Sequence, residues 1–213
     1  MKVPLRGLYA ITDSSLIAPG RLLEAVSCAI TGGATVIQYR DKGLDGPRRE
    51  SDARDLLVLC RSHGVPLIIN DDVALAQSVG ADGVHLGRDD IPLAEARHIL
   101  GGAAVIGVSC YNNFELAVTA QAEGADYIAF GRFFASQTKP GAVQASMDLI
   151  RRAKVTLAIP VAAIGGITPD NGAVLVEAGV DMLAVVGGLF GQPDPRRAAR
   201  RYTQLFEQEG NMQ

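Results

Sequence analysis

Short apolar runs alternate with longer amphipathic ones along this chain. Leu8 to Thr12, Thr35 to Arg40, Leu67 to Ile69, Gly83 to Leu86, Val105 to Ser109, Tyr127 to Gly131, Pro160 to Ile164 and Leu183 to Val186 read as eight short strands, several rich in β-branched residues. The stretches between them read as helices. Arg21 to Thr31 puts Leu22, Leu23, Val26 and Ile30 on one side and stops at Gly32-Gly33. Pro47 opens a charged helix to about His63. Further helices are predicted over Val73 to Val79, through Leu100, over Glu115 to Glu123, after the cap Thr168-Pro169-Asp170, and from Pro195 to about Glu207. A polar loop follows the sixth strand and runs to about Val143.

Strand and helix alternate too regularly for a segregated fold. Such alternation predicts parallel strands joined by crossover helices. Eight units of even size favour an α/β fold closed into a (β/α)8 TIM barrel over an open doubly wound sheet. The expected organisation is one domain over residues 1–213. Gly80-Ala81-Asp82, Gly124-Ala125-Asp126 and Gly179-Val180-Asp181 echo one another at helix-to-strand turns. That echo is architectural and marks no separate domains.

Composition narrows the partners. The 213 residues are 48% hydrophobic and 20% charged, enough for a sizeable core. A net charge of −3 and the absence of Trp argue against a nucleic-acid surface, so small molecules are the expected partners. Cys28, Cys60 and Cys110 are odd in number and lack CxxC spacing, which argues against disulfides and zinc. No signal peptide and no membrane-spanning run is legible, so the expected location is the cytoplasm. Barrels often pair, which allows a homodimer without requiring one.

In a barrel of this kind the chemistry gathers at the C-terminal ends of the strands. Those ends carry Gln38, Arg40 and Lys42; Asn70 and Asp71; Asp89 and Asp90; Ser109; Ser136, Thr138 and Lys139; and the pairs Gly165-Gly166 and Gly187-Gly188. Glycine after the last two strands suits a phosphate held by backbone N–H groups. Arg40, Lys42 and Lys139 suit a more highly charged anion such as a diphosphate, the bland alternative being surface pairing, for example Arg40 with Asp41. Asp71 and Asp90 follow neighbouring strands and suit a hydrated Mg²⁺ held against that diphosphate. Asp72 fits a helix cap better than a ligand. Spacing alone leaves Asp89 and Asp90 undecided. His85 lies inside a strand and reads as a core or packing residue, while His63 and His98 read as exposed helix residues.

Gln38-Tyr39-Arg40-Asp41-Lys42, Ile69-Asn70-Asp71-Asp72, Gly83 to Asp90, Gly107-Val108-Ser109, Thr138-Lys139-Pro140 and Ala163 to Ile167 together resemble the thiamine phosphate synthase family. The motifs come in that family's order and cover nearly the whole chain. The resemblance implies a (β/α)8 transferase that uses Mg²⁺ and joins 4-amino-2-methyl-5-(diphosphooxymethyl)pyrimidine to a thiazole phosphate, releasing diphosphate. It implies that Gln38, Arg40, Lys42, Asn70, Ser109 and Lys139, with Tyr39 and Asp41 from the same stretch, hold the pyrimidine diphosphate. It implies Asp71 and Asp90 as metal ligands, which selects Asp90 over Asp89. Ser136, Gln137, Thr138, Gly166, Val186 and Gly187 would line the thiazole phosphate site. Arg40, Lys42, Ser109 and Lys139 would act catalytically in a dissociative displacement: diphosphate leaves, a pyrimidine-stabilised cation forms, and the thiazole nitrogen attacks.

The chain departs from that family's pattern in places. Ala135-Ser136 stands where a Pro-Thr pair is common, Cys110-Tyr111 where a His is often seen, and Gly187 where a Ser is frequent. Rival readings are a thiazole tautomerase, which relies on a His where this chain has Tyr111, and a non-catalytic regulatory barrel, for which loss of the acids or Lys139 would speak. A sugar-phosphate isomerase or aldolase would need a Schiff-base Lys or a catalytic Glu or His that has no evident place. The stretch from Arg132 to Val143 reads as a lid.

Overall fold

The computed structural model describes residues 5–134 and 145–210. Eight parallel strands close into a barrel in chain order: β1 (Gly7–Ile11), β2 (Ala34–Tyr39), β3 (Leu67–Asn70), β4 (Gly83–Leu86), β5 (Val105–Tyr111), β6 (Tyr127–Gly131), β7 (Val161–Ile164) and β8 (Met182–Val185). β8 pairs back onto β1. The helices are α1 (Leu22–Thr31), α2 (Gly46–Ser62), α3 (Val73–Val79), α4 (Leu93–Leu100), α5 (Phe114–Ala122), α6 (Met147–Thr156), α7 (Pro169–Glu177), α8 (Gly187–Phe190) and α9 (Pro195–Gly210). No helix among the described residues is long and apolar enough to cross a membrane.

Alternation along each strand sorts side chains into two cores. Tyr9, Ile11, Val36, Ile68, Tyr127, Ala129, Ala162, Met182 and Ala184 form one buried cluster within the barrel. Their strand neighbours, such as Leu8, Ala10, Ile37, Leu67 and Ile69, pack under the helices. Two tyrosines are large tenants for so narrow an interior, and Gly107 makes room for one of them. A Cβ at Gly107 would lie 2.0 Å from Tyr127 Cζ.

Two helices depart from the sequence reading. α6 is held at its start by Ser146, whose hydroxyl accepts from Leu149 N at 3.3 Å, and its apolar face is too short to stand out between polar residues. Gly187-Gly188, read only as a glycine pair after the eighth strand, opens the four-residue α8. Gly188 is small because α9 lies against it: a Cβ there would meet Tyr202 OH at 2.3 Å. Asp72 caps α3 as expected, accepting from Leu75 N at 2.9 Å.

The Gly-x-Asp echo has a structural cause. Asp82, Asp126 and Asp181 close the lower end of the barrel. Their carboxylates accept from Leu67 N at 2.8 Å, Ile106 N at 2.9 Å and Val161 N at 2.8 Å, the N–H groups at the starts of the preceding strands. Each thereby satisfies a donor that the barrel would otherwise leave orphaned.

Candidate active site

The upper end of the barrel is built from the same residue type, arranged differently. β3 ends at Asn70, and Asp71 turns the chain with φ +63°, a left-handed conformation unusual for a side-chain-bearing residue. The turn is held by a hydrogen bond from Asp71 N to His85 O at 2.9 Å. It aims the Asp71 carboxylate across the rim, where Lys42 donates to it. Asp90 arrives on the loop after β4 and accepts from Gly87 N at 2.6 Å. Tyr111, also left-handed at φ +55°, supports that loop: its hydroxyl accepts from Arg88 N at 3.1 Å, and the Arg88 guanidinium lies 4.5 Å from its ring centre.

The two carboxylates are electrostatically opposed. Burial pushes the Asp71 carboxyl up, but the Lys42 and Asp90 hydrogen bonds outweigh it and hold Asp71 below the ordinary carboxylate range. Asp90 is held above that range by burial and the neighbouring Asp71 charge, against the pull of Gly87 N–H. One carboxylate charged and its neighbour inclined to keep a proton describes a place short of positive charge. The pair lines a cavity of ≈ 330 Å³ with Asp41, Lys42, Gly43, Arg49, Asn70 and Asp72. Two hard oxygen ligands beside an open, polar cavity suit Mg²⁺, which keeps several waters and takes further oxygens from phosphate. Among the described residues no group of three or more His, Cys, Asp or Glu side chains could enclose a metal, so the remaining ligands would come from water and substrate. Asp89 is exposed and outside the cavity lining.

Arg40 reaches the rim from β2. Its partner is Asp13, at 2.8 Å from Nη1, rather than the adjacent Asp41. Thr12 Oγ1 accepts from Arg40 N at 2.9 Å, so the end of β1 fixes both the backbone and the guanidinium. Asp41 turns inward instead, is buried and binds Arg48. Tyr39 points to the outer side of β2. It is 3% exposed within the cluster under the helices, and its hydroxyl lies 3.3 Å from Asp52 on α2. The period of a strand puts Tyr39 opposite Gln38 and Arg40, so it does not join them at the mouth.

Gln38 and Ser109 do face the barrel axis, and hydrogen bonds through its interior connect them. Gln38 Nε2 donates to Tyr9 OH at 2.6 Å, the Tyr9 and Tyr127 hydroxyls lie 2.7 Å apart, and His85 bridges Tyr127 OH at 2.9 Å to Ser109 Oγ at 2.8 Å. His85 is therefore more than packing. Burial pushes its imidazole down to about 4, so it is neutral at pH 7. Burial also raises both tyrosine hydroxyls well above their ordinary range.

On the opposite side of the mouth, Gly165 and Gly166 have φ +104° and +65°. A Cβ at Gly165 would lie 2.2 Å from Arg132 Cβ, so only glycine lets the two loops approach. Thr168 and Asn171 form a capping box at the start of α7, and Asn171 Nδ2 donates to Gly166 O at 3.0 Å. Val186 packs on the inner cluster, and Gly187 is exposed, with only Leu16 near the place a Cβ would take. Ser136, Gln137, Thr138 and Lys139, and most of the stretch read as a lid, lie outside the described residues. Sequence reasoning passed over Asp13, which pins Arg40, and Arg49, which reaches the cavity from α2 while bonded to Asp72 at 3.0 Å. A helix-borne arginine among many charged neighbours gives no sequence signal.

A closed β/α barrel with opposed carboxylates, rim cations and glycine backbone at one mouth has the architecture of a barrel enzyme acting on small molecules. The model of the thiamine monophosphate synthase family matches residues 8–189. The chain is 54% identical over 203 residues to the thiamine-phosphate synthase of Thioalkalivibrio sulfidiphilus, covering 95% of this chain and 96% of that one. It is 50% identical over 206 residues to that of Nitrosococcus oceani, covering 97% and 95%. A solved thiamine phosphate pyrophosphorylase from Pyrococcus furiosus superposes with a TM-score of 0.88 at 34% identity, covering 96% of this chain and 97% of that one. The chain belongs to the thiamine monophosphate synthase family.

Proposed function

We propose that this chain is a thiamine-phosphate synthase, a transferase that joins an aminopyrimidine methyl diphosphate to a thiazole phosphate and releases diphosphate. The observation that carries the reading is the opposed Asp71–Asp90 pair, met by Lys42 in a cavity that also takes in Asn70 and Arg49. Two facing acids beside a cation suit a divalent metal held against a polyanion. A leaving diphosphate needs positive charge as the C–O bond breaks, which Lys42 supplies directly and the two acids would supply through a bound cation.

Asp71 and Asp90 would hold Mg²⁺, which when bound supplies Lewis-acid neutralisation of the diphosphate oxygens. Lys42 and Arg40 add fixed positive charge on the same rim, and the family resemblance adds Lys139 to them. Ser109 donates a hydrogen bond, and Gln38 and Asn70 orient the pyrimidine side of the substrate. Gly166, Val186 and Gly187, with Ser136, Gln137 and Thr138, hold the thiazole phosphate so that its ring nitrogen faces the carbon losing diphosphate. Holding both partners in line removes the entropy cost of their encounter. The carbon–oxygen bond breaks with its electron pair leaving on diphosphate, and the nitrogen lone pair forms the new bond. Such a route needs no protein nucleophile.

Diphosphate release by the purified protein, assayed with each substrate alone and both together, with and without Mg²⁺, tests this. Release only with both substrates and the metal is the expected result. Absent release, with thiazole phosphate still binding by calorimetry, would move the assignment to a tautomerase or a regulatory barrel.

A further inference from the structure

Once one end of the hydrogen-bonded chain from Gln38 to Ser109 is assigned, proton accounting fixes the direction of every other bond in it. Tyr9, Gln38 and Tyr127 are 1%, 2% and 0% exposed. Tyr9 OH has two hydrogen-bond partners among the described residues, Gln38 and Tyr127. Gln38 donates to it, so the Tyr9 proton goes to Tyr127. The Tyr127 proton then goes to its remaining partner, His85 Nδ1. His85 carries its single proton on Nε2 and donates to Ser109 Oγ. Ser109 keeps its own proton for the mouth. Gln38 keeps its carbonyl oxygen, which has no partner among the described residues.

We propose that this relay is a specificity device: when Ser109 donates to an anion, Gln38 is locked with its carbonyl oxygen outward, and the site takes an aminopyrimidine and rejects the oxo ring. The proposal rests on the reading that the substrate is a pyrimidine bearing a diphosphate. Diphosphate offers oxygens and no donors at neutral pH, so Ser109 can only donate to it. That fixes every bond back to Gln38. A primary amide is otherwise ambiguous, because turning it over exchanges its oxygen and nitrogen. To turn over, Gln38 would need Tyr9 to donate to it. Tyr9, Tyr127 and the His85 tautomer would then all reverse, and the Ser109 proton would leave the anion for His85.

An aminopyrimidine edge presents an N–H donor beside an unprotonated ring nitrogen. It matches the Gln38 oxygen and the second Gln38 N–H. A 4-oxopyrimidine presents a carbonyl beside a ring N–H, the inverse pattern, and meets an amide that the relay holds the wrong way round. Gln38 and Ser109 touch substrate; Tyr9, Tyr127 and His85 are positioning residues. Gly107 belongs to the device, since only its missing Cβ leaves space for the Tyr127 ring.

The test is the ratio of kcat/KM for the amino and 4-oxo pyrimidine diphosphates, at one thiazole phosphate and Mg²⁺ concentration. It is measured in the unmodified protein, Tyr9→Phe, Tyr127→Phe and the double variant. Each single variant is expected to lower the ratio about tenfold, chiefly by improved use of the oxo substrate. The double variant lowers it no further, because a serial relay is broken once. A ratio that stays at its original value while both substrates suffer equally would overturn the relay, leaving the tyrosines as packing. Losses that multiply in the double variant would overturn it too. Ser109→Ala keeps the interior intact and removes the anion-facing donor, so it lowers the same ratio even if the Phe variants fold poorly; an unchanged ratio there overturns the proposal. If the unmodified protein releases diphosphate from neither pyrimidine, the synthase reading itself has failed, a result distinct from turnover with an unmoved ratio.

Discussion

Asp82, Asp126 and Asp181 at the lower end of the barrel each accept a strand-initiating N–H, and Asp126 and Asp181 also pair with Arg97 and Lys154 at 2.6 Å. Asp71 and Asp90 at the upper end face each other, share Lys42 and border an open cavity. The lower set is saturated and the upper set is not. A charge whose hydrogen bonds are all met inside the fold adds to stability and has nothing left to offer a ligand. A charge held next to a like charge lowers stability and gains when a cation or cationic reaction partner arrives. Both ends follow strands and both carry acids. What separates structure from chemistry here is whether the surrounding backbone has already used the carboxylate.

The comparison can be broken most forcefully at Asp71. Asp71→Ala is expected to cut diphosphate release about a thousandfold while the thermal midpoint falls only about 2–4 °C, since relief of Asp90 partly offsets the lost Lys42 ion pair and the left-handed backbone that Ala tolerates less well. Steady-state release and thermal unfolding check the two halves, and a variant near full activity would sink the metal assignment. Asp126→Ala should show the reverse. It orphans Ile106 N and removes the Arg97 ion pair, so we expect about 2 kcal/mol lost in urea unfolding, with kcat unchanged. A large fall in kcat per folded molecule would mean the lower end is not merely structural. Asp13→Asn sharpens the upper end: with its guanidinium no longer pinned, Arg40 should raise KM for the pyrimidine diphosphate about tenfold.

The smallest effect comes from Asp90→Asn. The raised Asp90 carboxyl binds its proton more tightly folded than unfolded. Its ionisation therefore costs stability as pH rises through the range between the two values, and the cost persists above it. Asn removes that cost, so the metal-free variant should melt about 1–2 °C higher at pH 7. The gain should vanish at pH values where the carboxyl is protonated in both states. A gain that grew on acidification would contradict the assignment of repulsion to Asp71.

Much of the barrel was legible because its physics is local. Short apolar runs ending in polar residues gave strand ends to within two residues, and Asp72 caps α3 where the sequence placed it. α6 and α8 escaped, the first for want of a long apolar face, the second because four residues opening on two glycines look like a turn. At the mouth, the strand ends brought out Arg40, Lys42, Asn70 and Asp71, while the contiguous motif also took in Tyr39, whose hydroxyl lies against α2. Consecutive residues on a strand point to opposite sides, so a contiguous motif overstates its own site.

The sequence by itself determined the alternation, the closure it implies, the family resemblance and the residue types at the strand ends. All of these depend on neighbours within a turn or a strand. Only the tertiary structure decided that Arg40 answers to Asp13, that Asp71 and Asp90 oppose each other, and that Gln38 and Ser109 are joined through Tyr9, Tyr127 and His85. Those partners are far apart in sequence, and a hydrogen bond between them exists only because barrel closure carries their side chains to within 3 Å of one another.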